Sequence, residues 1–417
     1  MSALFRRLVL ALVRLYYPRV AVSGALPGRG PVVLVANHPN GLLDPLVLRI
    51  AAGRPVAFLA KSTFFATALG RWVMGAFDAL PVYRAHEADT RRNEETFARC
   101  ADLLGAGGWL ALFPEGKSHD APGLERLKTG AARIALATPG VRVVPAGLLY
   151  EEKDVFRTRV SVAFGEPIEP HAGEPVDALT ARIAEGLGEV VLQAEDREVW
   201  RGFVAVAGWT SEDGGEDLAA VHARAQRLAD RYRALAEEDP ARLGRIVAAV
   251  RHFARMLDAV GVRDPFALES PRQEGHALAT LVATAPLAAI GAALNWIPYR
   301  AVRPVAQRLA GAHLDVVSTY KLMLGAVVMP LAWITEAAVA DRLAGGWAAV
   351  GVLAIAPATG FFALRWDERV TLRREALRAR WLASAHAPLA EAVAARRAEL
   401  ASEVMAALAE NAASAGA

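Results

Sequence analysis

His38 stands directly after an unbroken apolar run, "PVVLVAN" at residues 31–37, and Asp44 follows it with Pro39-Asn40-Gly41-Leu42-Leu43 in between. A carboxylate can hold one nitrogen of such an imidazole and leave the other to take a proton, which is what a general base requires. The same spacing also arises from a turn histidine followed by a helix-start aspartate, so the pair alone leaves chemistry and turn capping both open. A second group lies in "LFPEGKSHD" at residues 112–120: Glu115, Gly116, Lys117, Ser118 and His119 follow another apolar run, with Arg126 and Lys128 shortly after. Backbone amides at a strand-to-helix turn, flanked by Lys and Arg, suit a phosphate. No Walker or dinucleotide glycine pattern accompanies them, so a nucleotide-binding core is not expected. Arg84, closing "DALPVYR" at residues 78–84, is a third candidate; as a bare residue it is equally a solvated arginine leaving a strand.

The elements that must position these groups are short. Residues 31–37, 55–61, 78–84, 109–116, 141–150 and 159–165 read as strands, several of them apolar on both faces, and residues 42–52, 87–104 and 126–137 read as helices between them. Strands buried on both faces and separated by helices predict an α/β fold with a mixed sheet flanked by helices, and ligands in such folds bind at strand ends. Residues 1–24 predict an interfacial amphipathic helix, 25–172 the α/β domain, 173–275 a helical region without chemistry of its own, 276–366 membrane-embedded helices and 367–417 a helical tail.

The membrane assignment rests on composition. Of 417 residues 54% are hydrophobic, mean hydropathy is +0.25, and residues 277–297 and 343–364 are uncharged while 322–340 carry only Glu336. Runs near 20 apolar residues span a hydrocarbon core of about 30 Å. Arg300, Arg303, Arg308 and Lys321 precede the second run, and Arg365, Arg369, Arg373 and Arg374 follow the third. These basic flanks place both on the cytoplasmic side and make the second and third runs a hairpin. The first run, with Pro286 and Gly291, is then expected to be broken, re-entrant or interfacial. No acidic residue precedes Asp44, whereas five arginines do, which suits anionic head groups or phosphate-bearing ligands. The single cysteine, Cys100, cannot form an intrachain disulfide and reads as a small core residue.

Asn37-His38 with Asp44, Gly75 to Arg84, Phe113-Pro114-Glu115-Gly116 and Val144-Pro145 together resemble the four ordered blocks of the phospholipid/glycerol acyltransferase superfamily, over residues 30–170. Two departures are visible. The family usually has four residues between His and Asp where this chain has five, and its Thr-Arg-Ser after the third block is here Lys117-Ser118-His119-Asp120. Both departures are similar to a branch containing yeast-type glycerol-3-phosphate and dihydroxyacetone-phosphate acyltransferases. The resemblance implies His38 as general base and Asp44 as its orienting partner. It implies an acceptor site from Arg84, Glu115, Gly116, Lys117, Ser118 and Lys128, with Lys117 and Lys128 the candidates to neutralise the acceptor phosphate beside Arg84. It further implies acyl-CoA or acyl carrier protein as donor co-substrate, no metal or redox cofactor, membrane lipid and a phosphorylated glycerol acceptor as partners, no nucleic acid, and a cytoplasm-facing catalytic domain on the inner membrane. Glycerol 3-phosphate is the expected acceptor, with 1-acylglycerol 3-phosphate or another lysophospholipid the alternative.

Readings from other classes explain less. A metal hydrolase could draw on His38, Asp44, His86, Glu115, His119 and Asp120, but no His-x3-His pair accompanies them. A non-catalytic membrane scaffold fits the apolar C-terminal third and gives no reason for the polar blocks. A transporter needs polar groups at mid-depth, and only Glu336 comes near that.

Overall fold

The computed structural model describes residues 2–83, 93–211, 215–261 and 275–414. Arg84, His86 and the start of the helix expected from residue 87 lie outside the described residues. The chain divides into two compact units, one of Met1–Val204, Asp217–Ala229 and Ala312–Thr319, the other of Ala205–Glu216, Asp230–Gly311 and Tyr320–Ala417.

The first unit is a mixed α/β sheet with flanking helices. Its strands are β1 (Arg19–Ser23), β2 (Val32–Ala36), β3 (Ala57–Lys61), β4 (Leu80–Val82), β5 (Trp109–Leu112), β6 (Arg142–Tyr150) and β7 (Arg159–Phe164). They form a 7-stranded sheet in the order β1-β7-β6-β2-β5-β3-β4, parallel at every pairing but β6 with β7. Its first helices are α1 (Ser2–Tyr16), α2 (Leu43–Ala51), α3 (Ala68–Ala76), α4 (Asn93–Gly105), α5 (Gly130–Leu136) and α6 (Val176–Val190). Every residue of β2 is buried, which is why its sequence shows no polar alternation. Val33, Val35, Leu110, Leu112 and Val143 pack with Cys100 and Leu104 of α4, Ala131, Ala132, Ile134 and Ala135 of α5, and Leu179, Ile183 and Leu187 of α6.

The residues of α6 therefore belong to this core, although the sequence pattern assigned them to a separate region beginning at residue 173. At the other end, helix α1 stops at Tyr16, before Pro18, and Arg19–Ser23 of the N-terminal segment form β1. Helix α1 is amphipathic, but Val13, Tyr16 and Tyr17 at and just past its end are buried, and Arg6 Nη1 donates to the carbonyl of Ala76 at 3.2 Å. Leu4 and Leu8 remain exposed. Helix α3 and the 3₁₀ turn Ser62–Phe65 were not expected at all.

The second unit is helical. Helix Pro240–Val260 starts on Asp239, whose side chain accepts from the Arg242 amide at 2.9 Å, and stops at Gly261, in the left-handed region at φ +62°. Ala279–Ala310, Leu314–Ala344 and Gly346–Leu382, of 32, 31 and 37 residues, are each long and apolar enough to cross a membrane. With them the chain is a membrane protein. Contrary to the expected break, the first of these is one continuous helix, Gly275–Ala310, with Pro286, Pro298 and Pro304 inside it. Gly291 is a close-approach residue there: a Cβ would overlap the carbonyl of Thr359 on the third long helix. Asn295 ties the three together, donating through Nδ2 to the carbonyls of Gly291 (2.9 Å) and Ala356 (3.0 Å) and accepting from Trp333 Nε1 at 2.8 Å. The third long helix runs on to Ala385, through the boundary expected at residue 366. The tail beyond it, Ala387–Ser414, packs on Pro240–Val260 and buries Val393, Leu400 and Val404.

Candidate active site

Strands β2 and β5 are parallel neighbours, Val35 pairing with Leu112, so His38 and Glu115 leave the sheet at the same edge. Strand β6 is β2's other parallel neighbour, pairing Val35 with Pro145, and it continues beyond that edge to Tyr150. Asn37 adds one rung to the ladder with its side chain: Oδ1 accepts from the Leu148 amide at 2.8 Å and Nδ2 donates to the Leu148 carbonyl at 3.1 Å. Backbone groups that would be orphaned where β2 ends are thus paired. The chain then reverses through Gly41 at φ +49°, a conformation that favours glycine, and enters α2 with Asp44 in its first turn.

This reversal brings His38 and Asp44 together across the five intervening residues. His38 Nδ1 lies 2.8 Å from Asp44 Oδ2. The Asn40 amide donates to the same oxygen at 2.7 Å, and Tyr150 Oη donates to Oδ1 at 2.6 Å. Asp44 is fully buried, while the His38 side chain keeps 18% of its surface exposed. A carboxylate only accepts, so Nδ1 carries the proton and Nε2 presents its lone pair, with no protein partner among the described residues. The imidazole is stacked on Phe113, with centroids 4.0 Å apart and planes 14° from parallel, which fixes its plane as Asp44 fixes its rotation. Burial, then the neighbouring Asp44, pushes the Tyr150 phenol well above its usual range, so it remains a donor.

Glu115 is buried and turned inward. Its Oε1 accepts from the His38 amide at 3.1 Å, its Oε2 accepts from the Glu125 amide at 2.8 Å, and His119 Nε2 pairs with Oε2. The hydrogen bond that His119 donates to Glu115 holds its imidazole above its ordinary pKa, against the effect of burial. Gly116 is left-handed at φ +76°, and Lys128 lies so close over it that a Cβ would overlap the lysine chain. Lys117 Nζ is 3.0 Å from Glu125 Oε2 and largely exposed, a pairing of little energetic weight. Arg126 is exposed. The Ser118 hydroxyl donates to Asp315 Oδ2 at 2.5 Å. The structure therefore brings His38, Asp44, Glu115, Gly116, Lys117, Ser118 and Lys128 to one edge of the sheet, and Arg84 lies outside the described residues. Among the described residues, no three His, Cys, Asp or Glu side chains converge as metal ligands do.

Several residues at this edge had no sequence signal. Tyr150 reads as the end of an apolar strand and Asn40 as a turn residue. Lys153 Nζ donates to the Pro39 carbonyl at 2.9 Å and pairs with Asp120. Lys153 and Arg197 hold the Asp120 carboxyl below its usual value although burial acts to raise it. Tyr17 Oη accepts from Asn40 Nδ2 at 2.7 Å and donates to the Lys153 carbonyl at 2.6 Å.

Residues 19–149, which carry all of this but Tyr150, Lys153, Arg197, Asp315 and Tyr17, match the acyltransferase family. Over these residues the chain resembles acyltransferases. The chain is 32% identical over 189 residues to glycerol-3-phosphate O-acyltransferase 2 of Saccharomyces cerevisiae, covering 41% of this chain and 25% of the yeast protein. It is 33% identical over 119 residues to the chloroplastic 1-acyl-sn-glycerol-3-phosphate acyltransferase LPAT1 of Arabidopsis thaliana, covering 28% of this chain and 32% of the plant protein. The chain thus spans between a quarter and a third of the length of these relatives. The crystal structure of the 1-acyl-sn-glycerophosphate acyltransferase PlsC from Thermotoga maritima aligns with 43% of the chain and 77% of PlsC, at 20% identity and a TM-score of 0.33.

Proposed function

We propose that the protein is a membrane-bound O-acyltransferase that moves a fatty acyl group from a thioester to a hydroxyl of a phosphorylated glycerol. The observation that carries this reading is the His38–Asp44 pair, with Nδ1 held at 2.8 Å and Nε2 left without a partner at the mouth of the sheet. His38 Nε2 takes the proton of the acceptor hydroxyl as its oxygen attacks the thioester carbonyl. Asp44 stabilises the imidazolium that forms. Collapse of the tetrahedral intermediate breaks the C–S bond, and the imidazolium returns its proton to the departing thiolate. The proton balance closes within the site, so the scheme requires neither metal nor redox cofactor. Acyl-CoA and acyl carrier protein both supply such a thioester.

Lys128 over Gly116, together with Lys117, Arg126 and Arg84, supplies the positive charge for the acceptor phosphate. Glu115 acts from behind, tying the amide of His38 to the turn that carries these cations. Glycerol 3-phosphate, or dihydroxyacetone phosphate, is the acceptor that the five-residue His–Asp spacing and the likeness to the yeast protein favour. The likeness to the plant protein favours 1-acylglycerol 3-phosphate as a second reading. The catalytic part faces the cytoplasm, as do the basic flanks at Lys321 and Arg365. Engineered cysteines in a Cys100-free variant check this: the residue 341 link is expected to label from outside and residue 369 from the cytoplasm, and the reverse pattern refutes the orientation.

The purified full-length protein, assayed with one labelled acyl-CoA against glycerol 3-phosphate and 1-acylglycerol 3-phosphate, tests the reaction. His38→Ala is expected to lower the rate about 10²- to 10⁴-fold with the fold intact. Retention of more than about a tenth of the wild-type rate removes His38 from its role. Activity on 1-acylglycerol 3-phosphate alone replaces the acceptor and leaves the chemistry standing.

A further inference from the structure

Ala312–Thr319 links the first and second long apolar helices in sequence, yet it belongs to the α/β unit. Its contacts are specific. Asp315 Oδ2 accepts from the Ser118 hydroxyl at 2.5 Å, and the Ser318 hydroxyl donates to the Lys153 carbonyl at 2.6 Å. That carbonyl also accepts from Tyr17 Oη, the partner of Asn40. At the reversal after His38, a Cβ on Gly41 would lie 3.2 Å from the Asp315 carbonyl oxygen and 3.3 Å from both Thr319 Oγ1 and Val316 Cγ1. Asp315, Val317, Ser318 and Thr319 are all buried. The linker therefore touches the turn between His38 and Asp44, the Glu115–Ser118 turn and the loop that follows β6. A solvated connection between two anchors would have no need of buried polar side chains bonded to two separate loops and packed against a third.

Resting on the acyl-transfer reading above, we infer that Ala312–Thr319 is a positioning element of the active site, docked so that His38 is held at the start of the apolar stretch Leu314–Ala344. The Leu314–Ala344 apolar stretch begins within the docked segment itself. A long acyl chain partitions into lipid, each buried methylene contributing about 0.8 kcal/mol. Its thioester therefore stays near the membrane surface, and the linker brings the base to it. Asp315 and Ser318 touch neither acceptor nor donor in this scheme; they act through Ser118 and Lys153. The Ser118 hydroxyl accordingly serves the linker and leaves acceptor binding to the neighbouring cations.

Two measurements on the full-length protein in phospholipid vesicles test this. A cysteine replacing Thr319 in a Cys100→Ala background should label slowly with a soluble maleimide, and at least tenfold faster once Asp315→Ala and Ser318→Ala are added. Rapid labelling without those two substitutions overturns the docking. In the second measurement, Asp315→Ala and Ser318→Ala, separately and together, are assayed with palmitoyl-CoA and with hexanoyl-CoA. The expected result is a loss of tenfold or more in kcat/KM for the long chain and less than twofold for the short one. Equal losses for both chains, or none, overturn the positioning role, and the milder Ser318→Ala keeps the comparison valid should Asp315→Ala fold poorly. A wild-type protein that acylates no acceptor rejects the functional reading, and the labelling then decides the docking by itself.

Discussion

The ends of β2 and β5 carry two histidine–carboxylate pairs in contact, since the His119 amide donates to the His38 carbonyl at 3.0 Å and the His38 amide donates to Glu115. They differ in what is left over. In His119 both ring nitrogens are engaged, Nε2 with Glu115 and Nδ1 as acceptor from the Ala121 amide at 3.2 Å. In His38 only Nδ1 is engaged. A histidine with two partners pins a loop, and one with a single partner can move a proton. His222 completes the comparison: it is 2% exposed, with Nδ1 3.2 Å from Ser161 Oγ, and substrate cannot reach it. What makes a base here is one nitrogen both unpartnered and reachable.

The largest test of this contrast is Asp44→Asn, which should lower acyl transfer about 10²- to 10⁴-fold by removing the acceptor that fixes the His38 tautomer, measured as kcat in protein of unchanged thermal midpoint. The matching change at the second pair, His119→Gln, should lower kcat by less than about tenfold. If the two losses are similar, the pairs have the same function and the distinction fails.

Next in size is an effect on stability. Burial pushes the His222 imidazole down to about 4, so it is neutral in the fold and takes a proton only on unfolding as pH falls below its ordinary value near 6.5. Its contribution is fully present above that value and is lost as pH falls toward 4, by about 3 kcal/mol. Denaturant titrations at pH 7 and pH 4.5 should show the drop, and His222→Gln should flatten it. The smallest effect expected of a change around Asp44 is that of Tyr150→Phe. It removes one donor from Asp44 and leaves His38 and Asn40 in place, so a loss of about tenfold in kcat with unchanged acceptor KM is expected. A larger KM change would place Tyr150 against the acceptor instead.

What could be read from the chain follows the range of the forces involved. The apolar run of β2 shows that it is buried on both faces, and His38, Asp44, Glu115 and Gly116 sit within a few residues of such runs, so their place at a strand end was legible. Tyr150 and Asp315 act on partners 106 and 197 residues away, and no local pattern marks either. Helix α3 was missed because Gly70 and Gly75 weaken the helical pattern; Gly70 is needed there because a Cβ would overlap the Phe64 carbonyl. In the apolar segments Pro286 and Gly291 suggested a break. Packing against the third long helix makes Gly291 a contact instead, and Asn295, being uncharged, leaves no mark in the charge pattern of that run.

The central claim is that the free nitrogen of His38 is the reactive one, and a histidine-acylating reagent tests it directly. Treating the full-length protein with diethyl pyrocarbonate, mapping each modified histidine by peptide mass and following acyl transfer in the same samples gives the rate of each event. The account predicts that activity is lost at the rate at which His38 is modified, that His119 and His222 remain protected while the fold holds, and that His38→Ala removes the correlation. Modification of His38 with activity retained, or loss of activity that tracks His119, would contradict it.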